Sequence, residues 1–361
     1  MNIYFDYNAT APLRPEARDA MVAALGPPAN PSSVHGFGQD ARFKVETARR
    51  QVAALCGAMP EEVIFTSGGT EANAMALLRR APSVITSAVE HVAVLDCAPE
   101  ARRIAVHGDG SIDGDDLARA CADAPEGSVV SVMAANNETG VIQPLDDVIR
   151  IARDHGHLVH SDAVQGLGKL SLDFAASGLD LMSVSGHKIG GPTGIGALIQ
   201  REGLASHPRT HGGGQEKNRR PGTENLTGIV GFGAAAQAVM AEGDIMPRLH
   251  ALHRDFEARI KAEAPDAHVF GNGCPRLGNT TAITMPGKTA ETQIMAFDLA
   301  GISISAGAAC SSGKVKTSHV LMAMGEAERA DFTVRISSGW ASTEAEFDRL
   351  AETWLKLYKQ A

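Results

Sequence analysis

HLVHSDAVQ, residues 157–165, is a short β-branched run that stops at an acid, and LDLMSVSGHK, residues 179–188, is a second run that stops at a lysine. The 26 residues from Asp162 to Lys188 leave room for one crossover unit, so the two ends can lie on adjacent strands. Moving outward, EEVIFTS, SVITSAV, GSVVSVMAAN and IGALIQ repeat the pattern from about Glu61 to Gln200, with helical, Ala- and Arg-rich stretches between them. This alternation predicts an α/β protein whose mostly parallel sheet is covered by helices. In open sheets of this kind ligands gather beyond the carboxyl ends of the strands. Those ends read SGGT (67–70), EH (90–91), NNE (136–138), DAVQ (162–165) and SGHK (185–188), a rim of polar chemistry.

The length of 361 residues exceeds the usual size of a single core, so a large domain with a smaller one is expected. The character of the sequence changes near Gly243, where the second domain is predicted to start; NTTAITM and ISISAG read as its strands. With 44% hydrophobic and 21% charged residues the chain is globular, and a net charge of -9 argues against nucleic acid as the main partner. No segment is long and apolar enough to span a bilayer, and MNIYFDYNATAPLRP lacks a basic segment followed by an apolar stretch, so a cytoplasmic protein is expected. Five scattered cysteines without CxxC spacing suit a reducing compartment.

Lys188 sits among glycines with no acidic partner in its own segment, an environment in which a desolvated amine loses its proton cheaply and can form a Schiff base. A surface lysine in a turn is the plain alternative. Asp162 could keep a pyridine nitrogen protonated, or simply cap a helix. Gly68, Gly69 and Thr70 open the helical EANAMALLRR and could cradle a phosphate. His91 could stack on a ring or carry protons, while Asn137 and Gln165 could donate hydrogen bonds to a ring hydroxyl and its surroundings. Arg335, in FTVRISSG, could clamp a carboxylate through its planar fork or form a surface salt bridge. Cys310, in SAGAACSSGKVKTSH with Lys314 and Lys316 nearby, is the reactive-thiol candidate; the other four cysteines read as inert. The segment around Lys188 is not a Walker loop, because its glycines follow the lysine. No metal is expected, since His155, His157 and His160 match no zinc spacing and read as solvated edge histidines.

YFDYNATAP, NPSSVHGFG, VIFTSGGTEANAMA, NNETGVIQP, SDAVQGLGKL, SGHKIGGPTGIGAL, HGGGQE…RRPGT, the cysteine loop and VRISSG occur in that order over almost the whole chain. Together they resemble the cysteine desulfurases of the NifS/IscS type, within the class V aminotransferase group of fold type I pyridoxal-phosphate enzymes. The resemblance implies that Lys188 bonds the coenzyme, Asp162 pairs with its ring nitrogen, His91 stacks on the ring, and Gln165 contacts the ring hydroxyl. It implies that Thr70, Ser185 and His187 serve the phosphate, beside the cofactor-binding Gly69 of the same turn, and that Thr223 reaches the phosphate of a neighbouring subunit in a homodimer with shared sites. Asn137 and Arg335 correspond to substrate-orienting positions and Cys310 to the nucleophile, which would receive the sulfur of L-cysteine as a persulfide and leave L-alanine. A large domain of residues 13–243 and a small one of residues 1–12 and 244–361 carrying the cysteine loop are expected. The implied role is sulfur supply to an acceptor such as an iron-sulfur scaffold or a tRNA-thiolating protein.

The sequence departs from that pattern at Ala308 and Ala309 before the cysteine, at KVKTSH, and at Trp340, where an arginine is common. A selenocysteine lyase, another fold type I lyase or aminotransferase, and a non-catalytic partner-binding homologue are the competing readings.

Overall fold

The computed structural model describes residues 2–26, 28–79, 81–207, 210–307 and 317–360. Their strands are β1 (Ile3–Tyr4), β2 (Val63–Thr66), β3 (Val84–Ser87), β4 (Arg102–Ile104), β5 (Val129–Ser131), β6 (Leu158–Asp162), β7 (Leu181–Ser185), β8 (Gly196–Gln200), β9 (Thr280–Thr284), β10 (Ile302–Ser303) and β11 (Thr333–Ser337). Seven of them form one sheet in the order β2-β8-β7-β6-β5-β3-β4. Only β8 runs antiparallel to its neighbours; every other pairing is parallel. Every residue of β5 and β7 is buried, as in strands covered on both faces.

β6 occupies the middle of this sheet, which corrects the expectation of solvated edge histidines at 157 and 160. His157 is 1% exposed and His160 is fully buried. His157 bonds the carbonyl of Cys121, and His160 bridges Ser131 and Ser183 on the flanking strands. Burial drives His160 down to about 3, so it is a neutral strut between strands.

A second core lies apart from the sheet. Phe5, Ile260, Phe297, Val334 and Trp354 pack together there, beside the parallel pair β1-β10 and the antiparallel pair β9-β11. Both ends of the chain contribute, and Asp6 forms a bridge with Ser337. Residues 5–9 thus lead from this core across to the Lys188 segment, where the backbone N–H of Ala11 donates to the carbonyl of His187. No helix among the described residues is long and apolar enough to cross a membrane.

Candidate active site

The carboxyl ends of β2, β3, β5, β6 and β7 face a cavity of about 320 Å³ lined by Gly69, Thr70, His91, Asn137, Asp162, Gln165, Ser185, His187, Lys188 and Arg335, among others. Sequence reasoning therefore brings these ten residues to one place. Thr223 lies on an exposed loop away from the cavity lining, and Cys310 falls outside the described residues.

Lys188 ends the tight turn Gly186–Lys188 that follows β7. Gly190 lets the chain bend behind it: its φ is 82°, and a Cβ there would meet Arg14 and Trp340 at 2.6 Å. Lys188 Nζ donates to the carbonyls of Asn8 at 2.6 Å and Ala9 at 2.8 Å. Burial, reinforced by Arg335 and opposed by Asp162 and Asp6, lowers this amine to about 8. Asp162 is buried at the end of β6, where its Oδ2 accepts from Asn73 Nδ2 at 2.7 Å and its Oδ1 from the Val164 N–H at 3.0 Å. The second bond closes the turn that follows the strand; no helix starts there, which corrects the helix-cap alternative, and the carboxylate faces the cavity.

His91 accepts from the Ala93 N–H through Nδ1 at 3.1 Å, so the neutral ring carries its proton on Nε2. Burial pushes the ring below the usual imidazole range, while the Asp162 carboxylate works in the opposite direction. His187 falls to about 4 through burial and the charge of Lys188, and its Nδ1 lies 3.2 Å from Thr10 Oγ1. Gly69 and Thr70 begin the helix Gly69–Leu77, whose free N–H groups favour an anion.

Arg335, 4% exposed on β11, corrects the surface-salt-bridge alternative: its Nη2 pairs with Asp6 Oδ1 at 2.6 Å and its Nη1 donates to the Asn137 carbonyl at 3.1 Å, both within the molecule. Its Nε is buried without a partner among the described residues. Behind the rim, Arg49 grips Glu216 with two bonds of 2.8 Å, and Phe65 N–H donates to the same carboxylate at 3.0 Å. This fixes the glycine-rich loop that presents Thr223. Arg220 pairs with Glu71, so the two adjacent arginines are engaged within the protein.

Asn8, Asn73 and Lys169 are the functional neighbours that sequence reasoning missed. Asn73 has a signal in its spacing, one helical turn after Gly69 on the same face. Lys169 stands four residues after Gln165, whereas nothing local points to Asn8, which reaches the cavity through the second core.

The class-V aminotransferase family model matches residues 3–350. A cysteine desulfurase IscS from Dictyoglomus turgidum is 38% identical, over 96% of this chain and 92% of its own. An IscS-like cysteine desulfurase from Mycobacterium tuberculosis is 39% identical, over 97% and 94%. The solved structure of a NifS-like protein from Rickettsia africae superimposes with a TM-score of 0.93 at 33% identity, covering 99% of this chain and 100% of that one. The chain belongs to the class-V aminotransferase family, in its branch of NifS- and IscS-type cysteine desulfurases.

Proposed function

We propose that this chain is a pyridoxal-phosphate-dependent cysteine desulfurase acting as a homodimer, which moves the sulfur of L-cysteine onto Cys310 and releases L-alanine. One observation carries the reading: a buried amine lowered to about 8 shares a cavity with a buried carboxylate and a helix N-terminus. That donor set fits the coenzyme. Lys188 supplies an amine partly neutral near pH 7.5, which can bond an aldehyde. Asp162, aimed by Asn73, supplies the acid for the ring nitrogen, and Gly69, Thr70, Ser185 and His187 surround the place for a phosphate. His91 and Gln165 serve the ring face and the ring hydroxyl, while Asn137 and Arg335 orient the substrate. Thr223, exposed on its loop, is assigned to the phosphate of the partner subunit.

When bound, the coenzyme draws electrons from the substrate's α-carbon. Lys188 Nζ would hold the coenzyme and, when unbonded, would accept the substrate's α-proton. Cys310 Sγ forms a bond to the substrate sulfur as the carbon-sulfur bond breaks; the electron pair stays on carbon, which gains a proton and leaves as alanine. Sulfur then departs to an acceptor protein such as an iron-sulfur scaffold. Residues 13–243 are assigned to a large domain and residues 1–12 with 244–361 to a small one, a division supported by their separate cores. A cytoplasmic location agrees with the free cysteines 56, 97, 121 and 274.

The test is to supply purified protein with pyridoxal phosphate, L-cysteine and a reducing thiol, and to quantify alanine and sulfide. Equal amounts are expected, with Cys310→Ala keeping the yellow colour of the lysine-bound coenzyme and losing both products. Sulfide from the Cys310 variant would remove that residue's role, and a keto acid in place of alanine would remove the desulfurase reading.

A further inference from the structure

Lys169 has no part in the chemistry above, yet it is a second amine, half-buried behind the cavity and bonded to two residues that line it, Gln165 and Asn8. Its Nζ donates to Gln165 Oε1 at 2.7 Å and to Asn8 Oδ1 at 2.8 Å. Both acceptors are uncharged amide oxygens. A neutral amine has two N–H donors, which these two acceptors use in full. Burial, together with the charges of Lys188 and Arg335, holds Lys169 well below the usual ammonium range, in keeping with that form.

The contact decides which way Gln165 faces. With Oε1 on the lysine, Nε2 donates to the Asn8 carbonyl at 2.9 Å; a flipped amide would set oxygen against oxygen at Asn8 and take away the acceptor that the Lys169 N–H uses. The same Asn8 carbonyl accepts from Lys188 Nζ at 2.6 Å. Lys169 therefore braces the glutamine amide and the side chain of the residue on which Lys188 rests.

We propose that Lys169 is a positioning residue: by occupying Gln165 Oε1 it keeps the glutamine N–H group turned toward the cavity, ready to donate to the ring oxygen of the coenzyme. This rests on the proposed use of pyridoxal phosphate. Loss of that donor leaves more negative charge on the ring oxygen, which then holds the proton of the lysine-coenzyme bond more tightly.

The experiment reconstitutes apo protein with pyridoxal phosphate and follows the yellow band against pH and coenzyme concentration. Lys169→Met is expected to raise the midpoint of the band by about one pH unit and to weaken coenzyme binding roughly tenfold, the scale of one hydrogen bond to a charged oxygen. Lys169→Gln, which retains a neutral donor, should restore most of both. In a Gln165→Leu background Lys169→Met should add nothing, because the effect runs through the glutamine. A midpoint unchanged in Lys169→Met, or a shift that persists without Gln165, would overturn the proposal. If the methionine variant does not fold, Lys169→Gln compared with and without Gln165→Leu decides in the same way. A wild-type protein that stays colourless would overturn the proposed function as well, which separates the two failures.

Discussion

One wall of the cavity comes from successive strand ends of a single sheet, whereas the facing wall joins Asp6 to Arg335 across 329 positions of sequence. The first wall holds Asp162, His91 and Lys188 in place through parallel pairing that extends to their own strands. The second depends on β11 pairing with β9 and on the N-terminal segment lying beside it. The two walls act on Lys188 with opposite sign. Asp162 favours its charged form and Arg335 its neutral form, so the amine's readiness is set between them.

The comparison breaks most completely at the shared residue. Lys188→Ala removes the amine that both walls tune, and we expect total loss of the yellow band and of alanine formation. Absorbance after reconstitution, with free coenzyme removed, measures it. A band that survives would place the bonding amine elsewhere, with Lys169 the nearest alternative.

Smaller changes sharpen the contrast. Apo protein captures the coenzyme through neutral Lys188, so the capture rate should rise with pH to a midpoint near 8. Asp162→Asn removes a charge that raises the amine and should move the midpoint down by about half a unit to one unit. Arg335→Gln removes a charge that lowers it, leaves Asp6 unpaired nearby, and should move the midpoint up by a similar amount. Stopped-flow absorbance across pH 6–10 reads both. Unmoved midpoints would show that burial alone sets the amine, and shifts of the same sign would show that the walls do not compete.

The same contrast explains what was legible in the sequence. Lys188, Asp162 and His91 end or closely follow β-branched runs, so their place at a sheet rim follows from local pattern and parallel topology. The buried His157 and His160 run against the expectation that polarity means exposure: on the central strand His160 bonds serines of both flanking strands, and just before it His157 bonds the Cys121 carbonyl. Asn8 carries no such signal. Its amide donates to Thr280 Oγ1 and to the Asn137 carbonyl, and these partners come together only after the second core has formed from both chain ends. Arg335 is marked by the motif around it, but its pairing with Asp6 depends on that same long-range assembly.

The smallest expected effect concerns Glu90, a neighbour of the first wall that belongs to stability more than to chemistry. It is fully buried, its Oε1 accepts from Ser87 Oγ at 2.6 Å and Met133 N–H at 2.8 Å, and burial, with Asp162 adding to it, raises the carboxyl to about 8. Near pH 7 it is a neutral acid. Between its ordinary value of 4.5 and about 8 the folded protein binds more protons at this site than the unfolded chain, so this group makes stability fall as pH rises through that window. Glu90→Gln keeps the accepting oxygen and cannot ionise. The variant should differ from wild type by less than about 1 kcal/mol below pH 4.5, where both side chains are neutral, and become the more stable protein as pH climbs from there to about 8, the difference levelling off above it. Urea unfolding of the two apo proteins across pH 5–9 measures the difference. Parallel pH profiles would mean that Glu90 ionises at ordinary pH, and that the first wall holds two buried negative charges where the geometry supports one.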